Sequence, residues 1–177
     1  PLFRTVGNDS TFYRPPTAGQ LRHYLTQIPE DFEMCFKVWE DITIPNYASH
    51  ARYGVKAGQS NPRFLDAKLF NDLVLTPYRD AKFEPHLGPF LFEFQRHGLS
   101  NEVFCARLDA FFSQLPKDVR YAVEIRNVGL LGPEYRKILE RHGVAHVYNH
   151  WSYMPPLLEQ HHQMEECFTA PFTVIRL

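Results

Sequence analysis

The sequence predicts an α/β fold in which parallel strands alternate with helices. Short apolar runs typical of strands alternate with helical patterns along the 177 residues. Parallel neighbours need a long connection, and the helical stretch between successive runs supplies one. One of these runs, residues 121–127, also carries Glu124 and Arg126. Because parallel strands are covered on both faces, the two charges are expected inside a barrel, at its rim or in the crevice of an open sheet.

Strands are predicted where the sequence is short, apolar and rich in aromatic or β-branched residues. In "YAVEIRN" the side chains of Ala122, Glu124 and Arg126 fall on one face, because successive side chains of a strand point to opposite faces. The other face of this strand is apolar. The predicted strands are residues 3–6, 32–39, 89–95, 121–127, 145–149 and 172–176.

Helix starts are predicted from capping residues between these strands. Thr17 and Gln20 have the spacing of a capping box, with an apolar stripe behind them. Gly143 is expected to end the helix that begins at Pro133. The predicted starts are Thr17 with Gln20, Asn61-Pro62, Ser100 or Asn101 (before a stripe of Phe104, Leu108, Phe111, Phe112 and Leu115), and Pro133.

Composition and charge narrow the class of protein. A 44% hydrophobic content over this length is enough for the core of one domain, residues 1–177. The net charge of −1 gives no long-range attraction to nucleic acid or anionic lipid, and no apolar run reaches the roughly 20 residues of a membrane span. The three cysteines are widely spaced, which favours a reducing cytoplasm over a disulfide framework or zinc site.

The motifs "GNDSTFYRPPTAGQL", "MCFKVWEDIT", "GPFLFEFQ", "YAVEIRN" and "YNHWSYMPPLLEQ", in this order, resemble the YecE-like family of unknown function. The resemblance covers essentially the whole chain and implies a TIM-barrel-type fold. Members of that family carry a glycine-rich first strand before the "NSTFY"-like segment, and a final strand and helix after the "VIRL"-like one. The chain has neither. The resemblance therefore implies an incomplete barrel of about six of eight βα units, without the first and the last.

Polar side chains occur where the predicted strands end. In a TIM barrel the reactive groups come from these C-terminal ends and from the loops that follow them. Lys37 and Trp39 share a face on the second strand, as do Glu93 and Gln95 on the third. The candidate site residues are Glu124 and Lys37 for catalysis, and Asn8, Ser10, Trp39, Gln95, Arg126, Asn149 and Arg176 for substrate binding.

The cations of this set outnumber the carboxylates, since Lys37, Arg126 and Arg176 face only Glu93 and Glu124. A surplus of positive charge in a pocket favours an anionic ligand, and the arginine fork binds carboxylate or phosphate through two bonds. Glu124 is then the candidate acid or base, with Lys37 as an alternative Schiff-base nucleophile. The structural alternative is a layer of ion pairs that only plugs the barrel.

Other patterns carry weaker indications. His146 and His150 are about 13 Å apart along a strand, so they do not form a metal pair, and no metal or cofactor is predicted. The aromatic side chains of Tyr13, Trp39, Trp151 and Tyr153 can either stack on a base or sugar or pack under long loops. The loop of residues 41–60 is long for a connector and is predicted to act as a lid.

Two classes of function remain from the sequence. One is an enzyme that acts on a small phosphorylated or carboxylated molecule, with proton transfer at Glu124 and the anion held by Lys37, Arg126 and Arg176. The other is a non-catalytic protein that binds a nucleotide or a short nucleic acid through aromatic stacking and phosphate contacts. The near-zero net charge and the lack of a basic stripe favour the first class.

Overall fold

Among residues 3–96, 98 and 100–177, which the computed structural model describes, six parallel strands lie side by side in sequence order and curl into a half-barrel. Each strand pairs with its sequence neighbours, and every pairing is parallel. The prediction of a parallel α/β fold, an incomplete TIM-barrel-like sheet, is confirmed. The strands are β1 (Thr5–Asn8), β2 (Glu33–Lys37), β3 (Leu87–Phe94), β4 (Tyr121–Ile125), β5 (Ala145–Asn149) and β6 (Val174–Arg176).

Helices fill the connections between the strands. A π-helical segment, Phe70–Leu75, joins α3 to α4 in one continuous helical run between β2 and β3. The helices are α1 (Ala18–Leu25), α2 (Glu40–Thr43), α3 (Ala67–Leu69), α4 (Thr76–Ala81), α5 (Asn101–Ser113), α6 (Pro133–His142) and α7 (Leu157–Gln163). No helix in the described part of the chain is both long and apolar enough to cross a membrane.

The predicted helix caps are present at three helices. Thr17 and Gln20 form the capping box of α1, since the backbone N–H of Gln20 donates to Thr17 Oγ1 and the backbone N–H of Thr17 donates to Gln20 Oε1. Ser100 caps α5 by accepting from the backbone N–H of Val103. Gly143 ends α6 with a φ of 65°, a left-handed conformation that glycine adopts without steric cost.

The predicted helix start at Asn61-Pro62 is wrong. The helix begins at Ala67, where Asp66 Oδ1 accepts from the backbone N–H of Leu69 at 2.9 Å. Asn61 instead uses its amide to fix the preceding loop, because Nδ2 donates to the backbone carbonyls of Asp41 and Ile44, both at 2.8 Å. A residue type that favours helix caps is here part of a loop.

The two faces of the sheet bury different side chains. On the outer face Tyr121, Val123 and Ile125 of β4 join an aromatic-rich core that packs against the helices. On the inner face Ala122 belongs to a smaller apolar cluster, with Leu91, Ala145, Val147, Cys35 and Val174 around it. The predicted alternation of β4 is therefore confirmed, and Glu124 lies on the inner side of the half-barrel.

Candidate functional site

Glu93 lies at the centre of a group of charged side chains at the C-terminal ends of the strands. Its Oε2 atom is 2.6 Å from Lys37 Nζ and 2.8 Å from Arg126 Nη2. Arg176 Nη1 lies 3.4 Å from the same oxygen. These side chains meet because parallel strands end at the same edge of the sheet. The ion-pair cluster is the set of Asp9, Lys37, Glu93, Glu124, Arg126 and Arg176.

Glu124 is the second buried carboxylate of the ion-pair cluster. Its Oε2 atom lies 2.5 Å from Arg176 Nη1, and its Oε1 atom lies 3.2 Å from Arg126 Nε. Arg176 also reaches Asp9, with 3.1 Å between Nη2 and Oδ2. Burial of the guanidinium disfavours its charge, but the attraction of Glu124, Asp9 and Glu93 outweighs this and raises the pKa of Arg176 above its usual value.

Asp9 changes the charge balance that the sequence predicted. With this carboxylate the ion-pair cluster contains three cations and three anions, so the expected surplus of positive charge is wrong for the cluster as a whole. Sequence reasoning selected Asn8 and Ser10 but passed over Asp9 between them. Its acidic character and its place directly after β1 were the available signals.

Charge is nevertheless distributed unevenly between the interior and the surface of the cluster. The side chains of Glu93 and Glu124 are each 2% exposed, whereas those of Arg126 and Arg176 are 23% and 29% exposed. The two carboxylates are therefore more deeply buried than the guanidinium groups that they bind. An approaching solute meets the edges of two arginines first.

A pocket of about 180 Å³ opens on this arginine side of the ion-pair cluster, and Arg126 and Arg176 both line it. Lys37 does not belong to its lining; this ammonium lies 4.3 Å from the centre of the Phe12 ring and is bound to Glu93. The anion pocket, as we call it, is lined by Glu124, Arg126, Asn149, His150, Trp151, Arg176 and Leu177.

Asn149 is fixed at the wall of the anion pocket by β4 and α7. Its Nδ2 donates to the backbone carbonyl of Ile125 at 3.1 Å, and its backbone groups bond to the side chain of Gln160. Its Oδ1 atom is buried and has no hydrogen-bond partner among the described residues. An unpaired buried acceptor is costly, so this oxygen is suited to accept from a ligand hydroxyl or N–H.

Asn8 and Ser10 lie apart from the ion-pair cluster. Thr5 of the same strand contacts Cys35 on the inner face, so Asn8, three residues later, points to the outer face. There Asn8 Oδ1 accepts from Ser10 Oγ at 2.6 Å, and its Nδ2 is 3.5 Å from the hydroxyl of Tyr24 on α1. The structure therefore brings these two predicted binding residues to each other but not to the arginines.

Trp39 and Gln95, the other predicted binding residues, lie at the edge of the site. Trp39 is half-buried against the hydrophobic core, with the guanidinium of Arg63 5.8 Å from its ring centre. Gln95 is exposed, and its Nε2 lies 3.5 Å from Glu93 Oε1. Only Gln95 of the two contacts the ion-pair cluster through a polar bond.

A larger cleft of about 590 Å³ lies beside the anion pocket and shares Trp151 with it. The loops that follow β2, β3 and β5 form its walls. The aromatic cleft is defined by Tyr47, Arg52, Tyr53, Arg96, Trp151 and Tyr153. Trp151 and Tyr153 were recognised in the sequence as stacking candidates, whereas Arg96 was not. Its guanidinium lies 4.3 Å from the centre of the Tyr153 ring.

The loop of residues 41–60 is tied to the start of α2 by ion pairs and hydrogen bonds. Glu40 Oε2 accepts from Arg52 Nη2 at 2.6 Å and from the Tyr53 hydroxyl at 2.8 Å. The hydroxyl of Tyr47 donates to Asn61 Oδ1 at 3.0 Å. Burial, together with the nearby Asp41 carboxylate, raises the pKa of Tyr47. The loop forms one wall of the aromatic cleft, and its action as a lid stays a prediction.

Within the described residues, no cluster of three or more histidine, cysteine or acidic side chains is arranged to hold a metal ion. His146 lies in the outer core, where its Nδ1 is 3.0 Å from the Tyr135 hydroxyl. Burial lowers the pKa of His146 to about 4, so this imidazole is neutral near pH 7.

The chain matches the model of a family described as a protein of unknown function, DUF72, over residues 1–177. No curated protein matches it. Two crystal structures of a DUF72 family protein from Enterococcus faecalis V583 are similar to it at 17% identity, with TM-scores of 0.60 and 0.66. Each similarity covers 98% of this chain. It covers 64% of the solved chain in the first structure and 58% in the second. A DUF72 family protein from Thermotoga maritima MSB8 has a TM-score of 0.66 at 18% identity, over 98% of this chain and 59% of its own.

At these identities the similarity to the solved structures shows the fold alone. The chain spans about three fifths of the length of those proteins. The family model, in contrast, matches every residue of the sequence. The chain therefore belongs to the DUF72 family of proteins of unknown function.

Proposed function

We propose that the protein binds a small phosphorylated or carboxylated molecule in the anion pocket, and that Glu124 exchanges a proton with it. The observation that carries this proposal is the arrangement of Arg126 and Arg176, which line the pocket together with Glu124, while the carboxylate of Glu93 lies outside the lining. Fixed arginine forks are suited to planar or tetrahedral anions.

Asp9 supports this proposal because its position is one that an anion can take. Its side chain is 60% exposed, and the exposed ion pair that it forms with Arg176 contributes little to stability. A phosphate or carboxylate in the pocket can replace Asp9 as the partner of Arg176, and no buried charge is left unpaired because Asp9 is exposed. Asn149 adds a polar residue to the lining beside the two arginines.

Glu124 is the acid or base of the proposed reaction because it is the carboxylate of the anion pocket's lining. Lys37 is assigned a positioning role, since its Nζ lies 2.6 Å from Glu93 and outside that lining. The ammonium holds Glu93, and Glu93 in turn holds Arg126 at 2.8 Å. The Schiff-base role considered for Lys37 has no support from this position.

The test compares two substitutions in the anion pocket with one outside it. Arg126→Met keeps much of the side-chain volume but removes the fork, so inorganic phosphate is expected to bind about tenfold more weakly, a loss of about 1.4 kcal/mol. Glu124→Gln removes a negative neighbour and is expected to leave phosphate binding intact or tighter, while it abolishes proton transfer. Arg79→Met, at an exposed ion pair with Asp118, is the matched control and leaves binding unchanged.

Titration calorimetry with phosphate, followed by a panel of sugar phosphates and carboxylic acids, measures the changes in binding. Turnover of the ligands that bind, followed for the parent protein and for Glu124→Gln, measures the loss of proton transfer. The proposal is contradicted if the ion-pair cluster has only a structural role in filling the half-barrel. In that case no member of the panel binds the parent protein, and both substitutions lower the free energy of unfolding by several kcal/mol because they strand a buried partner.

Two finer assignments belong to the same proposal. The ordered motifs from "GNDSTFYRPPTAGQL" to "YNHWSYMPPLLEQ" support a YecE-like protein within the DUF72 family. The cysteines at 35, 105 and 167 carry free thiols, which supports a reducing cytoplasmic location.

A further inference from the structure

The aromatic cleft and the anion pocket are adjacent, and Trp151 forms the wall between them. It lines both spaces. On the pocket side, the guanidinium of Arg126 lies 5.3 Å from the centre of the Trp151 ring. On the cleft side, the ring of Tyr153 lies 4.9 Å from it. A ligand that fills both spaces therefore crosses the edge of one tryptophan.

The lining of the aromatic cleft is suited to a flat ring. Its volume of about 590 Å³ falls within the range of small-molecule sites. Tyr153 is 60% exposed, and Arg96 stacks on it at 4.3 Å. No carboxylate lies within ion-pair distance of Arg96 among the described residues. Exposed tyrosine and arginine planes bind the faces of heterocycles, and the amides of Asn46 and Gln95 in the same lining can bond to a ring edge.

We infer that the ligand of this site joins a planar heterocycle to an anionic group, the chemistry of a nucleoside monophosphate, with the ring in the aromatic cleft and the phosphate in the anion pocket. This inference rests on the proposed function, because the phosphate contacts are those of Arg126 and Arg176. It adds the class of the substrate, which the anion pocket alone does not specify.

A single nucleotide fits the charges better than a nucleic-acid strand. A strand needs a run of cations that are available for successive phosphates. Here Arg52 is bound to Glu40 at 2.6 Å, and the chain as a whole has a net charge of −1. The arginines of the anion pocket supply one anion site.

The experiment measures binding to the parent protein by titration calorimetry with five kinds of probe: inorganic phosphate, ribose 5-phosphate, nucleosides, the four ribonucleoside 5′-monophosphates and a single-stranded oligonucleotide. At least one monophosphate is expected to bind about tenfold more tightly than ribose 5-phosphate, since stacking adds to the phosphate contacts. Tyr153→Leu is expected to remove this advantage while leaving phosphate binding unchanged. Phe168→Leu is the matched control, because Phe168 is equally exposed but packs on His161.

The outcomes separate the two proposals. If phosphate and ribose 5-phosphate bind but no monophosphate binds more tightly than ribose 5-phosphate, the inference is overturned and the proposed function stands. If none of the probes binds, the inference is overturned, and a further failure of the carboxylic acids in the panel overturns the proposed function as well. Tighter binding of a single-stranded oligonucleotide, with a steep loss of affinity as salt rises, also overturns the inference in favour of a polymer. If Tyr153→Leu and Phe168→Leu lose equal affinity for the monophosphate, the heterocycle does not bind in the aromatic cleft, and the inference is overturned.

Discussion

The guanidinium of Arg176, on the last strand, lies 3.1 Å from the carboxylate of Asp9, which follows the first strand. The curl of the sheet thus brings its two ends together at the C-terminal rim. Arg176 also holds Glu124 at 2.5 Å, so one side chain joins an exposed carboxylate and a buried one. Because Asp9 is exposed and Glu124 is buried, removing one or the other carboxylate is expected to change stability by different amounts.

Asp9→Asn is expected to change stability by less than about 1 kcal/mol, because an exposed ion pair contributes little. Under the proposed function, inorganic phosphate should bind about threefold more tightly, since a competing carboxylate is removed. Urea denaturation and phosphate titration measure the two effects. Asp118→Asn, at the exposed pair with Arg79, is the control and should leave phosphate affinity unchanged. Weaker phosphate binding in Asp9→Asn would contradict the proposed place of the anion.

Glu93→Gln is expected to lower the free energy of unfolding by about 3 kcal/mol, because it leaves Lys37, whose side chain is only 10% exposed, without its carboxylate. The Glu93 side chain is 2% exposed and lies within 4 Å of Lys37, Arg126 and Arg176. Glu124→Gln should cost less, since its two arginine partners keep Glu93 and are themselves partly exposed. Urea denaturation at pH 7 compares the variants. A loss below 0.5 kcal/mol for Glu93→Gln, as for an ordinary surface substitution, would show that the cluster does not need its central anion.

The protein is expected to lose free energy of unfolding in mild acid because His146 is buried in its neutral form. The pKa of His146 is lowered by burial to about 4 in the folded protein, against about 6.5 in the unfolded chain. The unfolded state therefore binds the proton first as pH falls. The stability that the neutral His146 contributes is complete above about pH 6.5 and is lost as the pH drops towards 4. The expected loss between pH 7.5 and 4.5 is about 2.5 kcal/mol.

The matched variant for this pH dependence is His146→Phe. It keeps the edge-on ring contact with Tyr148, at 4.8 Å between ring centres, but cannot titrate. Urea unfolding at several pH values should show a shallower acid slope for the variant than for the parent protein. Equal slopes would mean that other groups cause the acid sensitivity.

Gly88→Ala is expected to destabilise the protein by about 2 kcal/mol through overpacking. A Cβ atom at this position would lie 2.9 Å from both Cys35 Sγ and the carbonyl oxygen of Met34, where the register of β2 and β3 shifts. Gly7→Ala on β1 is the control, because its Cβ would meet no atom within 4 Å. Thermal melting should separate the two variants. A Gly88→Ala protein as stable as Gly7→Ala would show that the β2–β3 pair relaxes freely.

The period of two along the strands was sufficient to predict much of the ion-pair cluster. It placed Glu93, Glu124 and Arg176 on inner faces, and the structure brings these three within bonding distance. The pattern is reliable in the middle of a sheet, because a shift by one residue would bury the charges against the helices. The parallel sheet was predicted from the alternation of strands with helical stretches, and the ends of α1, α5 and α6 were predicted from capping residues and glycine.

Local rules were insufficient where a contact depends on distant parts of the chain. Asn8 was selected because it follows an apolar run, but β1 extends to Asn8 itself and turns this side chain outward to Tyr24. Asp9 was missed because its partner, Arg176, is 167 residues away. Asn61 looked like a helix cap, yet its amide is used by the carbonyls of Asp41 and Ile44. These errors lie in loops or, for Asn8, at the last residue of a strand, where the backbone path decides which way a side chain points.

The sequence order of the strands has a consequence for synthesis on the ribosome. Each strand pairs only with its predecessor and successor, so a growing chain can add one βα unit at a time to a sheet that already exists. The ion-pair cluster does not follow this gradual course, because Arg176 lies on β6, the last of the six strands to be synthesised. Until that residue leaves the ribosome, Glu124 has only Arg126 as an arginine partner. The anion pocket is therefore completed only after all six strands have been synthesised.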